Sequence, residues 1–230
     1  MSFRPKAVLL DFYGTVVEEN VAAVTAVGAR IAQASKCSAS PTEVAQFWDQ
    51  AFERLRAESF GGAFRTQREL ETLSITQVLC HFGSDLDVVE LTEPLFGYWS
   101  HPRIFPESKR VLENCDVPMC IVSNIDRADL EAALEYHQLD FDLIVTSEDC
   151  RAYKPRPEMF GRALSLLRLA KGEVLHVGDS LGSDIHGAKQ FGIHALWLNR
   201  TRKLVRDFRH TPDHIIEDLS GLLNILHAGA

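Results

Sequence analysis

Positive charge is in short supply. The 230-residue chain carries 24 Lys and Arg against 32 Asp and Glu, a formal net charge of −8. That balance argues against a general nucleic-acid binder, whose affinity rests on neutralising phosphates, and against a surface that seeks anionic lipid. Long apolar runs are missing too. Ala7–Leu10 is a short one and meets a charge at Asp11, so neither a signal peptide nor a membrane span is expected and cytoplasmic residence is the default. The five cysteines, at 37, 80, 115, 120 and 150, form no CxxC pair and no His–Cys cluster with zinc spacing. They read as free thiols in a reducing compartment. The nine histidines include no HExxH, and there is no internal repeat, low-complexity tract or Pro/Ser-rich linker.

What is present is ordinary globular composition, 46% apolar and 24% charged, in a chain long enough for a core domain with a smaller insertion. Ala7–Leu10 reads as a buried parallel strand ending at an acidic residue and a glycine turn. From about Asn20 to Cys80 the periodicity is helical. Val24, Val27 and Ile31 make one stripe; Val44, Phe47, Trp48, Ala51, Phe52 and Leu55 make another. Pro41 followed by Thr42 and Glu43 marks a helix start. Gly61 and Gly62 interrupt the pattern, and Leu70, Leu73, Val78 and Leu79 resume it.

After Pro118 strands and helices alternate. Strands are expected at 119–122, 143–146, 174–177 and 194–198, and helices at 130–136, 159–169 and 185–191. Alternation of this kind means right-handed βαβ units and a parallel sheet, an α/β fold. The first strand joins that sheet, and the helical stretch is inserted after it. The expected division is a core of residues 1–15 and 99–230 with a helical cap of 16–98.

Ligands of open parallel sheets bind beyond the carboxyl ends of the strands. Asp11, Ser123, Lys154 and Asp179 all follow strands and could share one crevice. Oxygen ligands from Asp11, Asp179 and Asp184 suit Mg²⁺. Lys154 can neutralise carboxylates and hold a charged substrate group. Ser123 and Asn124 offer a hydroxyl, an amide and backbone donors to an oxyanion. Each piece alone has a plainer meaning, a turn or a helix cap; their joint order is what carries weight.

That order resembles the haloacid dehalogenase-like hydrolases with an α-helical cap inserted after the first motif. The motifs are Asp11-Phe12-Tyr13-Gly14-Thr15, Ser123-Asn124, Lys154-Pro155, and Gly178-Asp179 through Asp184. The resemblance implies a Rossmann-like core with helices on both faces, a nucleophilic Asp11, and Mg²⁺ held by Asp11, the Tyr13 backbone carbonyl and Asp179, with Asp184 in support. Ser123 and Lys154 would bind the transferring group.

Tyr13 departs from the family's phosphatases, which carry a second Asp at that position to protonate the leaving oxygen. A tyrosine there resembles the dehalogenase branch, where halide leaves without a proton. Asp179 and Asp184 resemble the phosphatase branch instead. The early arginine that holds a substrate carboxylate in dehalogenases has Arg30 as its nearest candidate, in surroundings that do not match. Three readings follow: a Mg²⁺-dependent phosphatase of a small organic phosphate, a 2-haloacid dehalogenase, and a catalytically weak relative that binds a ligand or protein. Oligomeric state is not readable.

Arg65, beside the Gly61-Gly62 break, is a candidate anion contact from the cap, or part of a plain turn. Arg200, Arg202, Lys203, Arg206 and Arg209 read as a solvated basic face. His176 reads as a packed strand residue, and Trp48, Trp99 and Trp197 as core.

Overall fold

Successive residues of a strand point to opposite faces of its sheet, and the first strand, β1 (Ala7–Leu10), is apolar on both. The computed structural model describes residues 3–204 and 211–227. In it β1 lies inside a six-stranded, all-parallel sheet with β2 (Met119–Ser123), β3 (Leu143–Thr146), β4 (Val174–Gly178), β5 (His194–Leu198) and β6 (His214–Ile216), in the order β3-β2-β1-β4-β5-β6. Val8 pairs with Met119 on one side and Leu175 on the other.

Val8, Leu10, Ile121, Val177 and Leu196 join one apolar layer; Ala7, Leu9, Val122, Val174 and Ala195 join the opposite one. The first layer is covered by α5 (Ser108–Glu113), α6 (Arg127–His137) and α10 (Ser220–His227). The second is covered by α8 (Pro157–Leu167) and α9 (Gly187–Phe191). The short α7 (Ser147–Cys150) follows β3, and one wide helical turn, Leu181–His186, precedes α9. A Rossmann-like core with helices on both faces is therefore observed. The five expected strands are all present. The sixth, β6, was not expected: it is three residues long and mostly exposed, so it carries no buried apolar run to read.

Four helices fill the insertion: α1 (Val21–Gln33), α2 (Pro41–Glu58), α3 (Gln67–Phe82) and α4 (Val88–Ser100). Pro41 opens α2 as its first residue, with Ser40 and Glu43 forming a reciprocal cap. Val27, Ile31, Val44, Trp48, Ile75 and Val78 make a separate apolar core. Val24 and Leu73, expected in the buried stripes, are exposed. The Gly61-Gly62 break is a single tight turn, Gly61–Ala63, between α2 and α3.

The chain crosses between core and cap twice, and the two crossings pair. Val17 bridges Ile104 in antiparallel fashion, and Glu18 N–H donates to the Arg103 carbonyl at 2.7 Å. Across the cleft, Arg68 forms a two-pronged ion pair with the buried Asp129 of α6. The carboxylate of Asp126 accepts from the backbone N–H groups of Gln67 and Arg68, capping α3 from the core side. Among the described residues no helix is long and apolar enough to cross a membrane.

Candidate active site

The chain leaves β1 toward β2 and β3 on one side and returns to β4 on the other. The carboxyl ends of β1 and β4 thus flank the point where the strand order reverses, the usual crevice of such sheets. Asp11 follows β1 and Asp179 follows β4. Two glycines let them approach. A Cβ on Gly14, whose φ is +86°, would stand 2.6 Å from the Asp179 carboxyl; one on Gly178 would stand 2.3 Å from that of Asp184.

Oxygens of Asp11, Asp179 and Asp184 all lie within 4.8 Å of one another. The buried Lys154 binds two of the three. Its Nζ donates at 2.7 Å to Asp11 Oδ1, to Asp184 Oδ1 and to the Val122 carbonyl, using all three protons. Thr15 donates to Asp11 Oδ2 at 3.1 Å. His176 Nε2 lies 2.9 Å from Asp184 Oδ1, so this packed strand residue also touches the site.

Burial and charge set the protonation states. Burial raises Asp11 to about 6 against the pull of Lys154. Burial, then the charges of Asp11 and Asp184, push Asp179 up to about 8. Burial works against the Asp184 anion as well, but Lys154 and His176 hold its carboxyl far below the usual range. Burial opposes the Lys154 cation, and the two carboxylates outweigh it and raise its pKa. Burial keeps His176 below the normal histidine value despite Asp184. With His176 neutral, a single lysine faces three carboxyl groups, and Asp179 holds its proton near neutral pH for want of a second cation. That is the donor set and the charge deficit of a divalent-cation site with hard oxygen ligands, so the residues present fit Mg²⁺.

A cavity of about 230 Å³ opens onto this cluster and is also lined by Ser123, Asn124 and Ser180. Asn124 grips the Lys154 backbone: its Oδ1 accepts from Lys154 N–H at 2.7 Å and its Nδ2 donates to the Lys154 carbonyl at 3.2 Å. Tyr13 lines the cavity, but its phenol donates to the Trp99 carbonyl at 2.6 Å. Burial, with the charges of Asp129 and Asp11, holds that phenol above its ordinary pKa.

The cap contributes Phe52, Arg56 and Gln67 to the cavity wall. Arg56 donates to the Lys154 carbonyl at 2.7 Å and to Ser183 Oγ at 3.3 Å, and pairs with Glu53. Sequence reasoning passed over Arg56. Its signal was the helical spacing of Asp49, Phe52, Glu53 and Arg56 on one face of α2, a face that reads equally well as solvated. Arg65 is exposed and is not in the cavity wall. Its backbone ties the turn to the core, the carbonyl accepting from Tyr153 Oη at 2.8 Å. Arg30 pairs loosely with Glu90 on the cap surface. Arg200 braces the loop after β1 through the Thr15 carbonyl at 2.8 Å and pairs with Glu107 at 2.6 Å. Arg202 pairs with Glu217, and Arg206 and Arg209 lie outside the described residues.

Sheet, inserted helices and strand-end carboxylates define a Rossmann-like α/β protein with an aspartate cluster at the carboxyl ends of its strands. The family model of haloacid dehalogenase-like hydrolases matches residues 5–192, and the chain belongs to that family. Among curated proteins it is 35% identical over 125 residues to the haloacid dehalogenase-like hydrolase domain-containing protein 3 of Danio rerio, covering 52% of this chain and 51% of that one. It is 26% identical over 113 residues to the (S)-2-haloacid dehalogenase 2 of a Pseudomonas species, covering 48% and 49%. It is 34% identical over 142 residues to the pyrophosphatase PpaX of Bacillus mycoides, covering 57% and 65%. The chain thus spans about half the length of the first curated relatives it matches. Two solved structures share the fold. The L-2-haloacid dehalogenase of Xanthobacter autotrophicus superposes with a TM-score of 0.75 at 20% identity, covering 98% of this chain and all of that one. A phosphatase of the same family from Thermococcus onnurineus gives 0.64 at 26%, covering 96% and 97%.

Proposed function

We propose that the chain is a Mg²⁺-dependent phosphohydrolase of a small organic phosphate, with residues 1–15 and 99–230 as catalytic core and 16–98 as cap. The observation that carries this reading is the charge count at the strand ends: Asp11, Asp179 and Asp184 against Lys154 alone. A dehalogenase has no use for the uncompensated carboxylate of Asp179, whereas a divalent cation does.

In this reading Asp11, Asp179 and the Tyr13 backbone carbonyl hold Mg²⁺, and Asp184 supports them through Lys154. The ion, when bound, offsets negative charge on the phosphoryl oxygens. Asp11 is ionised at neutral pH, given a pKa of about 6. One of its carboxylate oxygens forms a bond to phosphorus while the bond to the leaving oxygen breaks, and that oxygen takes its proton from solvent. Water then attacks phosphorus and gives up a proton to solvent, the Asp11–phosphorus bond breaks, and inorganic phosphate departs. Ser123 and the charge of Lys154 stabilise the phosphoryl oxygens, and Asn124 keeps Lys154 in place. The Tyr13 phenol is bonded to the Trp99 carbonyl near the end of α4, so it braces that junction and gives no proton to the leaving oxygen.

That same feature favours the second reading, a 2-haloacid dehalogenase, because halide needs no proton. A panel of phosphate monoesters and 2-haloacids, each with and without Mg²⁺, decides between them. Phosphate release that needs Mg²⁺ and vanishes in Asp11→Asn is expected. Haloacid turnover without metal would overturn the proposal.

A further inference from the structure

Beside the catalytic cavity lies a larger one, about 480 Å³, between the cap and the sheet. The two share Tyr13, Glu19, Phe52, Gln67 and Asn124 in their walls, so the second cavity adjoins the space beside Asp11. Val24, Leu95 and Trp99 supply apolar surface. The charged side chains of its described wall are all carboxylates, Glu19, Asp49 and Glu71. Glu71, only 8% exposed, projects from α3 into this wall and forms no ion pair among the described residues. It accepts from the Trp48 indole N–H, which also donates to Ser74 Oγ at 3.0 Å. Burial pushes the Glu71 carboxyl up to about 7.

Asn20 Oδ1 and Gln67 Oε1 are buried and have no hydrogen-bond partner. The orientation of Asn20 is fixed, because its Nδ2 faces the Leu95 carbonyl at 3.5 Å and the reverse flip would set oxygen against oxygen. Glu19 and Asp49, both exposed, add two further carboxylates, and no Lys, Arg or His is among the described residues of the wall. A buried acceptor without a donor costs about 1–3 kcal/mol. Two such acceptors, with the Glu71 carboxyl beside them, face one cavity next to Asp11 and await donors from a ligand.

We propose that this cavity is the leaving-group subsite, and that it selects a leaving group carrying hydrogen-bond donors, foremost a primary ammonium, and rejects carboxylates. The inference rests on the phosphohydrolase reading, which fixes the phosphoryl end of the substrate at Asp11. It also separates this chain from enzymes of 2-haloacids, whose carboxylate would here meet Glu19, Asp49 and Glu71.

The test uses four matched esters: 3-aminopropyl, 3-hydroxypropyl, propyl and 2-carboxyethyl phosphate. The expected order of kcat/KM is the order given, carried by KM, with the amino ester ahead of the carboxy ester by at least about 10-fold, or ~1.4 kcal/mol. In Glu71→Gln that ratio should shrink severalfold. A second measurement does not depend on turnover: ligand-detected NMR of 3-aminopropanol and 3-hydroxypropanoate with the wild-type chain and with Glu71→Gln. Preferential binding of the amine, weakened in the variant, is expected. If no ester is hydrolysed yet the amine still binds preferentially, the reaction is misassigned and the subsite stands. If esters are hydrolysed without preference, or if the carboxylate binds as well as the amine, the subsite inference is overturned.

Discussion

Arg56, on the second cap helix, donates a 2.7 Å hydrogen bond to the backbone carbonyl of Lys154, the residue whose ammonium holds both Asp11 and Asp184. The cap is thereby attached to the carboxylate cluster through the main chain of its central cation. Position of the cap and position of Lys154 are coupled.

Arg56→Ala should therefore impair catalysis more than stability. Losing a charge-assisted hydrogen bond removes roughly 1.5–3 kcal/mol, which in kcat/KM is about 10- to 100-fold. Arg56→Lys should recover little, because one ammonium cannot reproduce the contacts to Lys154, Ser183 and Glu53. Steady-state kinetics and melting curves of both variants give the answer; a fall in melting temperature with unchanged kinetics would make Arg56 a plain structural residue.

The raised Asp179 carboxyl makes a statement about pH. Its folded value, about 8, lies above its ordinary 3.8, so the stability linked to its proton is present at low pH and lost as pH rises through 8. A divalent cation binds the deprotonated form and reverses that loss. Mg²⁺ should raise the melting temperature only slightly at pH 5.5 and markedly at pH 8.5, and EDTA should cancel the gain. In Asp179→Asn the Mg²⁺ effect should disappear at both pH values. A pH-independent Mg²⁺ shift in the wild type would show that the ion binds elsewhere.

Glu71 obeys the same rule inside the cap. Its carboxyl is raised from 4.5 to about 7 by burial, so the protonated form favours folding and the stability fades as pH climbs from about 4.5 through 7. Glu71→Gln removes the ionisable proton at nearly constant shape. The variant should be more stable than wild type at pH 8, by at most ~3 kcal/mol, and indistinguishable near pH 4. Denaturant titrations at the two pH values measure this directly. Equal stability of the two proteins at pH 8 would mean that the Glu71 anion is well solvated.

Much of this was legible because it is written locally. The continuous apolar run of Ala7–Leu10, the helix start at Pro41 with Thr42 and Glu43, and each strand-end motif are short-range patterns with a direct physical meaning. The convergence of Asp11, Ser123, Lys154 and Asp179 followed from sheet topology. Arg56, Gln67 and Asp126 were not legible. Their roles depend on how the cap sits on the core, and an Arg on a helix face or an Asp before α6 has an ordinary surface reading. The direction of the Tyr13 phenol was hidden for the same reason: its acceptor, the Trp99 carbonyl, is a backbone group 86 positions away.

That phenol yields the last prediction. Its single proton is committed to Trp99 at 2.6 Å, and its pKa stands above the ordinary tyrosine value, burial being the largest cause. It is therefore neither acid nor base at neutral pH. Tyr13→Phe should keep turnover within a few-fold of wild type while losing about 1 kcal/mol of stability, the net worth of a hydrogen bond. Without an acid at this position the leaving oxygen departs unaided, so kcat/KM should fall steeply as the leaving group's pKa rises, with aryl phosphates far ahead of alkyl ones. Tyr13→Asp places a carboxyl beside Asp11 that can protonate the departing oxygen. Acid–base help is worth roughly 10²–10⁴-fold, and an unoptimised carboxyl should recover up to about the lower end of that range, visible on alkyl esters and absent on aryl ones. The measurement is the slope of log(kcat/KM) against leaving-group pKa for wild type and the two variants. A shallow slope in the wild type, steepened by Tyr13→Phe, would restore the phenol as the proton donor.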